Sequence, residues 1–349
     1  MQSVSTQGPL PRYIVLELTR RCNNRCLYCY NVWGGPDLYD EGKKDEMDLD
    51  EIKNFVLRLQ AELPIETIAL TGGEPVLRDD LPDILSFLSA RKITPVLITN
   101  GTLLTEDRVR DTAGMTGMYQ ITLLSHRREI HDLLAGRPGA WDETVQGMLN
   151  VKRAGCNCSA VFVATKVNWQ DLYKTAELAL VLGAKILMYN RINLGCHNIH
   201  RAYELLPTAG MIQENLMSLE QIGEKYGMQS SVSVVIEPCV VSLGVYRHVH
   251  LGWCPLGGDM SYFTVDPRGN IRICNHSPVI LGNIKTESIR DIYLNHPYVR
   301  NFRTTLPDEC MSCKPGMRNV CRGGCRAAAE QCYGTINRVD PFVHLARQY

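Results

Sequence analysis

Residues 13–205 predict an α/β fold built on a parallel sheet, with a smaller cysteine-rich module behind it. Three observations carry this reading. Six short apolar runs alternate with helical patterns at the spacing of strand–helix units. The runs are apolar throughout rather than every second residue, as in strands buried on both faces. The 14 cysteines are grouped, with three at positions 22, 26 and 29 and seven between 254 and 332. Such a sheet either closes as a barrel or stays open and doubly wound. In both cases function gathers at the C-terminal ends of the strands.

The elements follow in order. YIVLEL (13–18) reads as a buried strand, and the helical pattern at about 48–62 takes Asp48 or Asp50 as its N-cap. A second strand (67–73), a helix (80–92) and a third strand (94–101) come next. The helix LTEDRVRDTAG leads to a strand at 118–125, and the helix at 141–155 to a strand at 159–166. A further helix and the strand 184–190 complete six units. The polar motifs fall at the strand ends: the cysteine loop after the first, TGGEP after the second, TNG after the third, and Ser125 after the fourth. Residues 206–230 look helical, and 231–250 look irregular or stranded. SYFTVDPRGNIRIC reads as a hairpin with strands 261–265 and 270–274 around DPRGN. The organisation is therefore a tail (1–12), a sheet domain (13–205), a helical bridging segment (206–250) and a cysteine-rich domain (251–349).

Composition narrows the function. Lys+Arg and Asp+Glu are both 37, which gives no bias toward nucleic acid or an anionic membrane. No apolar run approaches the roughly 20 residues needed to span a bilayer. The N-terminus lacks the apolar core of a signal peptide, so a cytoplasmic location is expected. Without an export signal, cysteines clustered at short spacings favour metal ligands over disulfides.

The front cluster has the spacing Cys22-x3-Cys26-x2-Cys29, with Tyr28 before the third cysteine. Three thiolates around one centre leave a coordination position that a distant His or Cys, or a ligand, would fill. Together with LTGGEP at 70–75, this loop resembles the signature of the radical S-adenosylmethionine (SAM) superfamily, over roughly residues 12–200. The resemblance implies a partial (β/α)6 TIM-like barrel. It also implies a 4Fe–4S cluster on Cys22, Cys26 and Cys29 whose fourth iron is chelated by SAM. Reductive cleavage of SAM would then yield a 5′-deoxyadenosyl radical that abstracts a substrate hydrogen atom. Gly72 and Gly73 have no Cβ to block a close ligand, and with Glu74 they are expected at the SAM ammonium group. Asn100 and Ser125 are expected at ribose or carboxylate, Arg137 in HDLLAGRPGAW at the carboxylate, and Tyr28 beside the cofactor.

The rear reads Cys254-x14-Gly269-x4-Cys274, then Cys310-x2-Cys313-x7-Cys321-x3-Cys325, then Cys332. This resembles the SPASM extension of radical SAM enzymes, which carries two auxiliary 4Fe–4S clusters. By that resemblance Cys254, Cys274 and Cys325 match the first cluster, and Cys310, Cys313, Cys321 and Cys332 the second. The gap before Cys321 is seven residues where the family usually has five. Positions 255–261 hold no extra cysteine, so the first cluster shows only three cysteines. Its fourth position falls to Cys239, a non-cysteine residue, solvent or substrate. Cys239 is alternatively a hydrogen-atom donor or an inert thiol.

The resemblance implies an enzyme that modifies a ribosomal peptide by crosslinking, thioether formation, epimerisation or oxidation. It would need a reducing partner such as flavodoxin or ferredoxin. Because the first strand starts near residue 13, either a separate leader-peptide-binding protein serves it or the peptide is recognised directly. Two rivals stand beside this reading. One is a radical SAM dehydrogenase or epimerase of a sugar, aminocyclitol or tetrapyrrole; the other is a non-catalytic iron–sulfur carrier or zinc scaffold.

Overall fold

A computed structural model describes residues 10–32, 46–256 and 262–348. The first strand, β1 (Tyr13–Thr19), is buried along nearly its whole length. Helix α1 (Leu49–Glu62) starts at Asp48. There Asp48 Oδ1 accepts the Glu51 amide at 2.8 Å and Glu51 Oε2 accepts the Asp48 amide at 3.1 Å, a reciprocal cap. The alternation continues through β2 (Thr67–Gly72), α2 (Leu81–Ala90), β3 (Thr94–Thr99), α3 (Glu106–Thr112) and β4 (Met118–Thr122). Between β4 and β5 (Cys158–Ala164) stand two helices, α4 (Arg128–Ala135) and α5 (Ala140–Arg153). The first of these had no counterpart in the expected elements. Helix α6 (Leu172–Val181) and β6 (Ala184–Arg191) complete the six units.

The sheet does not stop at β6. After α7 (Ala202–Leu205) and α8 (Ala209–Tyr226), β7 (Gln229–Val232) and β8 (Val249–Leu251) add to it in parallel. At the opposite edge, β9 (Phe263–Val265) pairs in parallel with β1, in the register Ile14↔Phe263 and Leu16↔Val265. The hairpin partner β10 (Asn270–Arg272) and then β11 (Ile280–Asn283) run antiparallel. Among the described residues the order is β11-β10-β9-β1-β2-β3-β4-β5-β6-β7-β8, one eleven-stranded sheet. It is a partial barrel extended at both edges. The expected hairpin is present, but it is sewn onto β1, where it covers an edge that would otherwise expose unpaired backbone groups. The cysteine-rich end continues in α9 (Ile289–Asn295), α10 (Pro297–Thr304), α11 (Pro315–Cys321), α12 (Arg326–Tyr333) and α13 (Pro341–Gln348).

Candidate active site and auxiliary cavities

The loop from Thr19 to Val32 crosses the C-terminal ends of the parallel strands and is fastened at both sides by backbone hydrogen bonds. Gly73 N–H donates to Thr19 O and Glu74 N–H to Arg21 O, both at 2.8 Å. Arg25 N–H donates to Ala135 O at 2.9 Å and Leu27 N–H to Leu134 O at 3.0 Å, at the end of α4. This fastening explains the glycines. A Cβ on Gly72 would stand 2.3 Å from Thr19 O, one on Gly73 2.1 Å from Arg21 O, and one on Gly136 2.1 Å from Arg25 O. The close approach made possible by Gly72 and Gly73 is to the cysteine loop, and both glycines also line the cavity beneath that loop.

Beneath the loop lies an open cavity of about 900 Å³, with Cys22, Cys26 and Cys29 on its wall beside Tyr28, Gly72, Gly73 and Asn100. The Tyr28 hydroxyl lies beside the Cys26 thiol, and the Asn100 side chain lies beside the Cys22 thiol. Burial pushes the Cys22 thiol up to about 12, with Glu74 adding to the rise. Burial raises Cys26 as well, helped by the neighbouring thiols. Among the described residues, no group of three His, Cys, Asp or Glu closes around a single ion. The thiols instead rim a cavity, which fits a cluster bound at its corners, and thiolates are the donors that iron–sulfur clusters take. Amide and carbonyl groups on the rest of the wall fit a small zwitterion.

Not every expected residue reaches that wall. Asn100 does, oriented by Asn23, whose Oδ1 accepts from Asn100 Nδ2 at 2.8 Å. Glu74 is fully buried behind it. Its carboxylate accepts the Val76 amide at 3.1 Å, the Thr99 hydroxyl at 2.7 Å and the Asn100 amide at 2.8 Å. Burial lifts it to about 7. It holds the turn and does not face the cavity. Ser125 is likewise buried and engaged, donating to Asp171 Oδ2 at 2.7 Å and accepting the Arg127 amide at 2.9 Å. Arg137 pairs with Glu143 and donates from Nε to Asn24 Oδ1 at 2.8 Å. Only Asn24 of this set lines the cavity, so Arg137 acts one residue removed.

Residues that sequence reasoning did not single out also line it: Asn24, Tyr30, Asn275 and His131. His131 Nδ1 accepts the Leu124 amide at 3.3 Å, and burial pushes the imidazole down to about 4. It is thus neutral, with its proton on Nε2. The helical spacing of His131, Leu134 and Ala135 was the available signal.

A second cavity, of about 740 Å³, gathers Cys254, Cys274 and Cys325. Asn193 Nδ2 reaches Cys325 Sγ at 3.6 Å, and Asp340 Oδ2 accepts the Cys325 amide at 3.1 Å. His276 Nε2 donates to Leu194 O at 2.8 Å, and burial pushes that imidazole to about 4. Tyr30 and Asn275 line both this cavity and the first, and Asn275 Nδ2 donates to the Tyr30 hydroxyl at 2.7 Å. Each follows a cysteine directly in sequence.

A third cavity, of about 830 Å³, gathers Cys310, Cys313 and Cys321. Cys332, expected with them, is not on its wall. It sits on α12, where its neighbouring thiol is Cys196. Cys239, considered for the first auxiliary site, lines the third cavity and not the second.

The two halves are locked by a buried ionic knot. Arg191, at the end of β6, donates from Nη2 to Asp340 Oδ2 at 2.6 Å and Glu237 Oε1 at 3.1 Å. All three side chains are essentially inaccessible. Glu17 on β1 is paired with Arg272 on β10 in the same way, both buried.

Comparison with known proteins agrees with this architecture. The profile of the radical SAM superfamily matches residues 16–179, and that of the SPASM iron–sulfur cluster-binding domain matches 254–314. An AdoMet-dependent heme synthase of Methanosarcina barkeri is 27% identical over 356 residues, covering 95% of this chain and 96% of its own. A PqqA peptide cyclase of Methylocella silvestris is 28% identical over 346 residues, covering 96% and 88%. Among solved structures, Streptococcus suis SuiB bound to S-adenosylmethionine superposes with a TM-score of 0.74 at 15% identity, covering 96% of this chain and 77% of that one. The anSMEcpe structure with AdoMet and the Cp18Cys peptide gives 0.71 at 17% identity, covering 97% and 95%. At these identities the likeness is one of fold. Among the described residues no helix is long and apolar enough to cross a membrane.

Proposed function

Since the chain belongs to the radical SAM superfamily and carries a SPASM module, we propose that it modifies a peptide substrate by hydrogen-atom abstraction. With SAM and its 4Fe–4S cluster bound, the site supplies reductive cleavage of the sulfonium and removal of a substrate hydrogen. Cys22, Cys26 and Cys29 hold the cluster from the cavity wall. Asn100, Tyr28 and the Gly72–Gly73 backbone border the space left for SAM, and Asn24, oriented by Arg137, borders it opposite. Glu74 and Ser125 serve from behind by fixing the turn and the start of α4. Cys254, Cys274 and Cys325 hold the first auxiliary cluster, with Cys310, Cys313 and Cys321 in the second.

The observation that carries this reading is the shared wall. Tyr30 and Asn275 separate the radical cavity from the first auxiliary cavity by one hydrogen-bonded layer. A substrate held against that wall has radical chemistry on one side and a thiol-bound cluster on the other. Cys254, Cys274 and Cys325 would hold a cluster there, and such a cluster would supply an electron acceptor close to the substrate, which suits an oxidative outcome. The peptide cyclase relative and the open mouth of the first cavity support a peptide. A flavodoxin or ferredoxin in the cytoplasm would supply the reducing electron, and a separate leader-binding protein would deliver the peptide. The heme synthase relative favours a second reading, a tetrapyrrole substrate.

The test is anaerobic reconstitution with iron and sulfide, followed by dithionite and SAM. Release of 5′-deoxyadenosine is expected; zinc in place of iron with no 5′-deoxyadenosine would sink the reading. A mass change on a short peptide encoded beside this gene supports the peptide assignment. A mass change confined to a supplied porphyrin would replace it with the second reading.

A further inference from the structure

We propose that Cys239 joins Cys310, Cys313 and Cys321 as a four-thiolate set for the second auxiliary cluster, and that Cys332 lies outside it. The inference rests on reading this module as cluster-binding, and it concerns which of the chain's own thiols complete the site. All four line the same cavity of about 830 Å³. Cys239 lies within electrostatic reach of both Cys310 and Cys321, and Cys313 within reach of Cys310. Cys332 has a different neighbour, Cys196.

The placement of Cys239 is built into the fold. Glu237, two residues earlier, is drawn into the knot with Arg191, and its own carbonyl accepts the amides of Val240 and Val241 at 2.9 and 3.0 Å. That tight turn throws Cys239 outward, where its side chain is exposed. The opposing turn, from Cys321 to Gly324, closes with Gly324 N–H on Cys321 O at 3.0 Å. The two turns pack against each other, since a Cβ on Gly324 would stand 1.9 Å from Glu237 Oε1. Cys239 and Cys321 are therefore held toward one another from two parts of the chain far apart in sequence.

Cys332 is placed elsewhere. It follows Cys325 by seven residues near the C-terminal end of the helix α12, about 10 Å further along the helix axis. Cys325 at the start of that helix lines the second cavity, and Cys332, near its other end, lines neither that cavity nor the third. Four thiolates close a cluster to substrate, whereas three leave an iron open. On this assignment the second auxiliary cluster relays electrons, and any direct contact with substrate falls to the site with Cys254, Cys274 and Cys325.

The test uses the reconstituted full chain. Wild type should bind about 12 Fe, three clusters of four. Cys239→Ala should lose about 4 of them together with one set of reduced-cluster electron paramagnetic resonance features. Cys332→Ala should keep the wild-type iron and spectrum. A second measurement does not depend on how the variants fold: iodoacetamide labelling of loaded wild type under native conditions. Exposed as it is, Cys239 should be protected in the loaded protein and become reactive after the clusters are stripped with chelator. Rapid labelling of Cys239 in protein carrying its full iron would overturn the assignment alone, as would loss of a cluster in Cys332→Ala but not in Cys239→Ala. Uptake of only about 4 Fe by wild type would overturn the reading of the module, and the assignment with it.

Discussion

Gly73→Ala is the sharpest probe of how the cysteine loop is held. The added Cβ would stand 2.1 Å from Arg21 O and 2.7 Å from Arg20 O. Ordinary carbon–oxygen contacts begin near about 3.3 Å, so the turn and the loop must part by about 1 Å. Both contacts are backbone and cannot rotate away. The parting stretches the Gly73–Thr19 and Glu74–Arg21 hydrogen bonds that seat Cys22 over the cavity. Overpacking of this kind costs about 1–3 kcal/mol of stability. Misplacing reacting groups by about 1 Å costs on the order of 100-fold in rate. The assay is single-turnover formation of 5′-deoxyadenosine alongside iron content, with the rear clusters as internal control. The expected result is a large loss of rate or of the front cluster, with the auxiliary iron retained. A variant within twofold of wild type at full iron would refute the claim that the glycine exists to admit the loop.

Three further outcomes follow from the same geometry. Arg191→Met strands the buried carboxylates of Glu237 and Asp340, which should cost about 3–5 kcal/mol in a denaturant titration. His276 is buried and neutral, with its folded pKa lowered to about 4. The unfolded chain therefore binds the extra proton, and His276 contributes stability at neutral pH that is lost as pH falls from about 6.5 toward 4, up to about 3 kcal/mol. Glu74, raised to about 7, acts with the opposite sign: its contribution is largest in acid and falls as pH rises from its unfolded value. The readout for His276→Gln is accordingly its difference from wild type across that range, which should shrink as pH falls. Tyr30→Phe removes the acceptor of Asn275 Nδ2, at a cost of about 1–3 kcal/mol. It should lower the yield of modified substrate per 5′-deoxyadenosine while leaving iron content unchanged.

Local chemistry was legible where one segment carries it. The strand–helix alternation, the Asp48 cap, the hairpin around Gly269 and the cysteine spacing each lie within about 20 residues, and the fold reproduces them. What sequence could not supply were relations across the chain. Nothing in FTV at 263–265 announces that it pairs with β1, because a three-residue strand carries almost no periodic signal. Ser125 and Glu74 are expected near SAM from the family resemblance, but sequence does not announce what fixes each of them in the fold. Groups that hold them in the fold, Asp171 for Ser125 and the Thr99 hydroxyl and Asn100 amide for Glu74, lie 25 to 46 residues away in sequence. The same limit applies to Cys332, since matching a spacing cannot reveal that the thiol sits on α12 near Cys196 and off the wall of the third cavity.

That long-range wiring changes what the module is. If the cysteine-rich end were a bead on a linker, the auxiliary clusters could drift relative to the radical cavity. Instead β9 is hydrogen-bonded to β1, the strand that feeds the cysteine loop. Arg272 on β10 is paired with Glu17, a residue of the radical cavity wall. Arg191 at the end of β6 grips Asp340 from the far side of the module. These three attachments hold Asn275 against Tyr30. On the proposed function, these attachments would keep the radical cavity and the first auxiliary cavity at one spacing, with the Tyr30–Asn275 layer between them.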